Sequence, residues 1–575
     1  MSKTKSEAKE QSAVRWIISA TKPYHGMVLF LSFLAIASAA VSLLSALVLK
    51  YLIDAAVGRD RALMTKTAVI LALVLAATVV LSLLSRYLKE RLSYLVINSL
   101  QIRMFSELLG KDYSHVTRLH SQEWMNRIIE DSVSVANAVS IMVPGLAGIL
   151  FQFIGSAYLL ARFAPSFLIF IIVGGIALVG LNLAIKKSVK MAQHESRSST
   201  GRKNVYVSEH LSKLLIVKAF DREEITVDNS TAKYDDVFNK RMRRLRTLII
   251  KDCIQNGSAT LAYLAVLLYC AIKIFKGQIS YGTCMMLLRL LSQIRAPLTE
   301  ISSYITNIFD VSVAVERLME AETFPDDPDK PVKSDDDIHA FYDNDFREIV
   351  FKDAGFSYLD ELEANPNIRP TVFSDVNLTI PKKSLVAFTG MTGSGKSTLF
   401  KLLMSLYPLQ EGSKLLRLKD GSEVDLDATY RRLFAYVPQG NQLMVGTVKE
   451  MVSFGDRDAN DSDIWEVLDE SCAKDFVEAL PQGLDTQIGE RGLGLSEGQM
   501  QRLAIARALY TKRPILLLDE ATSSLDEDTE QRLLENIKSM TDCTILIVTH
   551  RPAALSICNQ EINIDGNSVS CKNLK

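Results

Sequence analysis

Five stretches of this sequence carry no charged residue: Met27–Leu49, Thr67–Ser85, Ser132–Ala161, Phe163–Ile185 and Ile254–Ile272. Each is about as long as the roughly 20 residues a helix needs to cross the hydrocarbon core of a bilayer. Nothing in that core can bond an exposed backbone group, so a spanning segment must satisfy its own. Buried helices of a soluble domain would rarely supply five such uninterrupted runs, and each is read as a membrane-spanning helix. Phe163-Ala164-Pro165-Ser166 turns the third into the fourth, because proline cannot continue the helical hydrogen-bond ladder.

A sixth span is less uniform. Gly277–Leu288 is apolar, but Arg289, Gln293, Arg295 and Glu300 follow. At helical spacing Arg289, Gln293, Glu300, Ser303 and Asn307 share one face, with Leu287, Leu291, Ile294, Leu298, Ile301 and Ile305 over the others. An ionisable residue at membrane depth needs water or a partner, so the pattern predicts a sixth helix with one face on a water-filled cavity. The alternative is that Arg289 reaches an interface and Glu300 lies outside the lipid.

Positive charge sets the orientation. Arg86–Arg127 and Lys186–Lys251 are long and rich in Lys and Arg, whereas Asp54–Lys66, Ala164–Ser166 and Phe275–Ser280 are short. The long basic stretches are therefore expected in the cytoplasm with both termini. Their helical periodicity extends the second and third spans, and the fourth and fifth, into paired stalks. Residues 13–23 (AVRWIISATKP) suit a short helix in the membrane interface with Trp16 as its anchor. No secretory signal precedes the first span. Across 575 residues, 65 Lys and Arg balance 66 Asp and Glu, which gives no pull toward nucleic acid. The seven cysteines form no C-x-x-C pair, so neither a zinc site nor a disulfide framework is indicated.

Phe324–Ile338, rich in Pro and Asp, reads as a linker. The expected organisation is a helical transmembrane domain over 1–320, a linker over 321–345 and an α/β domain over 346–575. The second domain carries the strongest local signal. Leu385-Val-Ala-Phe-Thr runs into Gly390-Met-Thr392-Gly393-Ser394-Gly395-Lys396-Ser397-Thr398, a G-x-x-x-x-G-K-S loop between a strand and a helix. Its glycines let backbone N–H groups wrap phosphate. Lys396 reaches the β- and γ-phosphates of a nucleotide, and Ser397 offers a hydroxyl to Mg²⁺. A second buried run, Ile515–Leu518, ends in Asp519 and Glu520. Asp519 is placed to hold Mg²⁺ through water and Glu520 to polarise the attacking water.

Between these two runs lies Leu495-Ser496-Glu497-Gly498-Gln499, followed by Gln501-Arg502-Leu-Ala-Ile-Ala-Arg507-Ala-Leu. This segment resembles the signature of ATP-binding cassette proteins. Tyr436-Val437-Pro438-Gln439 looks like the family's glutamine loop, Ser524-Leu525-Asp526 like its D-loop, His550 like its switch histidine and Tyr358 like its adenine-stacking aromatic. Gly489-Glu490-Arg491-Gly492 is similar to the segment through which exporters of the family touch their membrane domain. With six spans ahead of the ATPase, the chain resembles a type IV exporter half-transporter. Arg118–Asp131 looks like its first intracellular loop and Glu209–Glu224, with Val217-Lys218-Ala219-Phe220, like its second.

That resemblance implies ATP and Mg²⁺ as cofactors and a dimer as the working unit. One chain's Lys396 would hold phosphates that the other's Ser496, Glu497, Gly498 and Gln499 cap. Glu520 and His550 would act in hydrolysis, with Tyr358, Gly390–Thr398, Gln439 and Asp519 binding ATP, and Ser397, Gln439 and Asp519 serving the metal. The family usually has glycine where Glu497 stands, which leaves a homodimer or a heterodimer with a related half-transporter open. The setting implied is the cytoplasmic membrane of a bacterium, and the activity is ATP-driven export rather than import. Arg289, Gln293, Gln152 and Gln255, together with Tyr158, Asn256 and Tyr263, suggest an amphipathic cargo: peptide, lipid-like molecule or drug.

Overall fold

The computed structural model describes the backbone of residues 13–119, 121–327, 333–358, 371–440, 443–489, 494–565 and 568–574. Within these, side chains are described outside 166–179, 181–187, 255, 259, 295–303, 305–306, 309, 565 and 568. The chain forms two compact units, one of 1–107 with 121–323 and one of 108–120 with 324–575.

The first unit is helical: α1 (His25–Val57), α2 (Arg61–Leu109), α3 (Val143–Phe163), α4 (Pro165–Ser212), α5 (Glu223–Phe275) and α6 (Tyr281–Thr323). Among the described residues four stretches are long and apolar enough to cross a membrane: 22–57, 61–109, 121–163 and 223–275. The third and fourth apolar runs part at Pro165, the first residue of α4. α1, α3 and α6 pack on one another, and α4 runs along α5. Small residues permit the close approach of α1 and α3. A Cβ on Gly148 would stand 3.1 Å from that of Ala35, and one on Gly155 would meet Leu43 at 2.3 Å. At the far end of α1, Asp54 accepts hydrogen bonds from the Gly282 N–H at 2.9 Å and the Ser280 hydroxyl at 3.0 Å, and pairs with Lys50.

Residues 13–20 are helical, but not with Trp16 as an interfacial anchor. Trp16 is buried, and its indole donates to Glu322 in the last turn of α6 at 2.8 Å. Arg103, near the end of α2, pairs with the same carboxylate at 3.0 Å. A satisfied indole packed on two helix ends has no donor left for a lipid headgroup.

The second unit is α/β. After α7 (Asp335–Asn344), β1 (Phe346–Ser357), β2 (Thr371–Pro381), β4 (Glu411–Leu418) and β5 (Glu423–Asp425) build an antiparallel sheet in the order β2-β1-β4-β5. A six-stranded sheet has the order β12-β11-β3-β10-β9-β6. It comprises β3 (Leu385–Thr389), β6 (Phe434–Val437), β9 (Ile515–Asp519), β10 (Thr544–Val548), β11 (Gln560–Asp565) and β12 (Ser568–Asn573). All but β12 run parallel, so the ends of β3, β9 and β10 emerge side by side. This is why continuous apolar runs such as ILLLD and TILIV are strands here: both faces of a parallel sheet are covered. α8 (Lys396–Leu403) follows β3, and Phe388, Phe400 and Phe434 join a core with Phe351 and Phe373 of the antiparallel sheet. A small pair, β7 (Gly446–Thr447) with β8 (Gln487–Ile488), flanks a helical subdomain over 448–478. That subdomain packs through Val448, Ile464 and Leu468 against Leu503 and Ala506 of α9 (Glu497–Tyr510). α10 (Glu527–Ser539) lies between β9 and β10 in sequence.

Candidate nucleotide and hydrolysis site

The loop from β3 to α8 is built by glycines that no other residue could replace without displacement. Gly390 has φ 133° and Gly395 φ 96°. A Cβ on Gly390 would lie 2.0 Å from the Ile564 carbonyl oxygen, and one on Gly395 2.6 Å from Val372. The loop is therefore pressed onto β11 and β2 with its backbone turned outward. Lys396 folds back over it, donating to the carbonyls of Gly390 at 2.7 Å and Met391 at 2.8 Å. Burial lowers the pKa of its ammonium, and Glu520 and Asp519 pull it back up. The Ser394 hydroxyl is buried and has no protein partner among the described residues.

Asp519 ends β9 almost fully buried. Burial holds its carboxyl above the usual range, against hydrogen bonds from Ser397 and Tyr436 that favour the charged form. Tyr436 donates to Oδ2 at 3.3 Å, and Oδ1 has no protein partner among the described residues. A buried carboxylate oxygen beside a serine hydroxyl is the oxygen donor set a hard divalent cation takes, so these residues fit Mg²⁺. Glu520 is held at φ 52° by an N–H bond to the Val548 carbonyl at 3.1 Å, which swings its side chain off the strand. Its carboxylate accepts from the Gln439 amide at 2.6 Å. Carboxylate, amide, ammonium and hydroxyl thus converge at the ends of β3, β6 and β9. His550 stands exposed two residues beyond β10. The Tyr358 hydroxyl is 2.9 Å from that of Thr398 at the start of α8.

Ser496 caps α9. Its hydroxyl accepts from the Gln499 N–H at 3.2 Å while the Gln499 side chain accepts from the Ser496 N–H at 2.8 Å. Glu497 occupies the first turn. At Gly498 the helix meets the turn after β9, where an added Cβ would be 2.8 Å from the Ser524 carbonyl oxygen. Asp526 caps α10 through the Thr529 N–H at 3.0 Å. Two residues given no role from sequence clamp the turn between them. Gln501 donates to the Ser523 hydroxyl and accepts from the Ser524 N–H, both at 3.0 Å. Arg551 donates to the carbonyls of Leu525 at 3.1 Å and Ser523 at 2.7 Å, and pairs with the buried Glu530 at 2.6 Å. Gln501 lies one helical turn from Gly498 on the same face, a spacing that could have marked it.

Among the described residues the candidate cargo side chains differ in exposure. Arg289 is exposed. Gln293 is buried, and its amide donates to the Ser42 carbonyl and hydroxyl, both at 2.9 Å, which ties α6 to α1. An amide committed to a neighbouring helix forms part of the packing, so among the described residues Gln293 does not share the exposure of Arg289. Gln152 donates to the Gln293 carbonyl at 3.4 Å and lines a cavity of about 580 Å³ with Ser42, Thr78, Arg86 and Lys89. The side chains of Gln255, Glu300 and Ser303, and residues 490–493 of the segment after Gly489, lie outside the described residues.

Residues 28–298 match the ABC transporter transmembrane region, and residues 373–523 match the ABC transporter model. An uncharacterised ABC transporter ATP-binding protein of Bacillus subtilis is 27% identical over 97% of this chain and 95% of its own length. A putative export ATP-binding/permease protein of Rickettsia felis is 26% identical over 91% and 89% respectively. A multidrug resistance ABC transporter ATP-binding and permease protein of Lactococcus lactis is 25% identical over 79% and 75%. A solved structure of a bacterial Atm1-family ABC exporter with ATP bound shares the fold, with a TM-score of 0.78 over 96% of this chain and 95% of that one at 20% identity.

Proposed function

Since the chain belongs to the ATP-binding cassette transporters, with their transmembrane region and ATPase fused in one half-transporter, we propose that two copies close their ATPase domains head to tail around two ATP molecules. Membership makes the chain an integral membrane ATPase whose hydrolysis drives export. The finer reading is a homodimer with six spans per chain in a bacterial cytoplasmic membrane, both termini and the ATPase inside. Its cargo is an amphipathic molecule of peptide, lipid-like or drug type.

The observation that carries the hydrolytic reading is the pairing of a buried Asp519 with a Glu520 carboxylate held by Gln439. Lys396 and the loop N–H groups bind the phosphates. Tyr358 supports the adenine. Ser397, Gln439 and Asp519 would hold Mg²⁺, which would supply positive charge to neutralise the phosphates. Glu520 orients a water and draws on its proton as the water oxygen bonds to the γ-phosphorus and the bond to the bridging oxygen breaks. His550 contacts the γ-phosphate. Ser496 and Gly498 of the partner chain close the site, with N–H groups at the start of α9 aimed at the anion. Closure then moves the stalks from inward- to outward-facing, because ATP binds the closed state preferentially. Leu215 and Phe220, exposed on and just after the short helix Leu214–Ala219, suit a coupling contact with an ATPase domain.

Purified Glu520→Gln is expected to bind ATP but turn it over about 10²- to 10³-fold more slowly than wild type. Equal turnover by the two would sink the reading. Glu497 favours a second reading, a heterodimer with one weakened site. Native mass spectrometry of the purified assembly separates the two, since a second subunit mass would replace the homodimer.

A further inference from the structure

The second unit contains a segment that sequence assigns to the membrane half: Leu108–His120, the continuation of α2. It is tied to the start of the linker by the Asp112 N–H to the Pro325 carbonyl and the Asp327 N–H to the Gly110 carbonyl, both at 2.9 Å. Its short helix Tyr113–Val116 brings Tyr113 edge-to-face onto Tyr407, with centroids 5.6 Å apart and planes at 88°. The Tyr407 hydroxyl lies 3.4 Å from that of Thr117. On its other side Tyr407 meets Tyr358 at 5.4 Å and 89°, and Phe356 at 5.7 Å. Tyr358 in turn reaches Thr398 in the first turn of α8. Three tyrosines thus form a continuous ladder from the α2 continuation to the phosphate-loop helix.

We propose that Tyr407 is a positioning residue for the nucleotide base: it fixes the Tyr358 ring and makes that ring's setting depend on where the Tyr113 helix sits. This rests on the reading of Tyr358 as the adenine platform. Edge-to-face ring pairs are directional, so a shift of Tyr113 changes how Tyr407 supports Tyr358. Among the described residues the Tyr358 hydroxyl reaches Thr398 and the Tyr407 hydroxyl reaches Thr117, so the contact between the two tyrosines is made by their rings. Information then runs both ways by linkage: base binding favours one placement of the Tyr113 helix, and that placement favours the base.

The test uses the full-length chain and compares KM for MgATP and MgGTP, because a residue acting through the base changes their ratio whereas a general packing defect moves both alike. Tyr407→Ala and, separately, Tyr113→Ala are expected to raise KM for ATP about three- to tenfold, with a smaller change for GTP. Tyr407→Phe, which keeps the ring, brings the ratio back. Tyr113→Ala lies outside the ATPase core and keeps the test open should Tyr407→Ala misfold. If Tyr358→Ala alters the ratio but neither Tyr407→Ala nor Tyr113→Ala does, the positioning role is overturned. If Tyr358→Ala itself leaves the ratio unchanged, the adenine platform falls and the positioning role with it.

Discussion

Lys414 on β4 sends its ammonium to the Leu402 carbonyl at 2.6 Å and the Ser405 hydroxyl at 2.7 Å, at the end of the phosphate-loop helix. Burial pushes it down to about 7, Arg431 adds to the effect, and Asp427 opposes it. In the unfolded chain the same group titrates near 10.4. Between those values the unfolded chain holds a proton that the folded chain has released, so stability rises with pH across that window. Below about 7 both forms are protonated and this contribution to the slope vanishes. The slope is at most about 1.4 kcal/mol per pH unit. The melting temperature of the ATPase unit is therefore expected to climb between pH 7 and 9, and Lys414→Met to flatten the climb. An identical pH dependence in the variant would exclude Lys414 as its source. Glu520 makes a separate residue-scale point. Its positive φ is a strained setting for a non-glycine residue, kept by the Val548 carbonyl, and it aims the carboxylate at Gln439 rather than into the sheet.

Elements hold the site by their ends. α8 carries Lys396 at its start, while Arg431 caps its far end through the carbonyls of Met404 at 3.0 Å and Ser405 at 3.2 Å. The same guanidinium forks onto Asp327, which follows the exit of α6, at 2.5 and 3.0 Å. Arg431→Ala is expected to lower the unfolding free energy of the ATPase unit by about 1–2 kcal/mol. Arg431→Lys should recover less than half of this, since a point charge cannot make the planar fork. Full recovery by lysine, read from denaturant unfolding, would reduce the contact to charge alone. None of this was legible in sequence. The strand, glycine turn and helix start around Lys396 and the strand that ends in Asp519 were, because local spacing alone specifies them, whereas 495–509 stood out only by its resemblance to a family segment. Gln501, Arg551 and Arg431 were not legible, because their partners lie 21 to 104 residues away in the chain and only the fold brings them close. Gln293 and Trp16 were misread for a related reason. Helical periodicity places a polar group on a face, but whether that face meets water or another helix depends on packing.

At the scale of the whole molecule the chain passes between its two compact units three times, after Glu107, His120 and Thr323. The membrane unit is therefore joined covalently to the second unit by two routes, one through the Tyr113 helix and one through Asp327. Neither route completes an ATP site, which in the proposed dimer needs the Lys396 loop of one chain and Ser496 of the other. That arrangement makes a sharp demand on mixed assemblies. In a homodimer of Lys396→Ala, as in one of Ser496→Ala, both sites carry a lesion and neither is intact. In a mixed dimer the two lesions fall in the same site and leave the other intact. With random pairing half the dimers are mixed, and each has one working site of two. Co-expression is thus expected to restore about a quarter of wild-type ATPase activity from two inactive parents, if the sites act independently in a symmetric dimer. If Ser496 instead serves the phosphate loop of its own chain, every subunit carries a lesion in its only site. Co-expressed variants, confirmed as mixed by differential tags, would then show no activity above either parent.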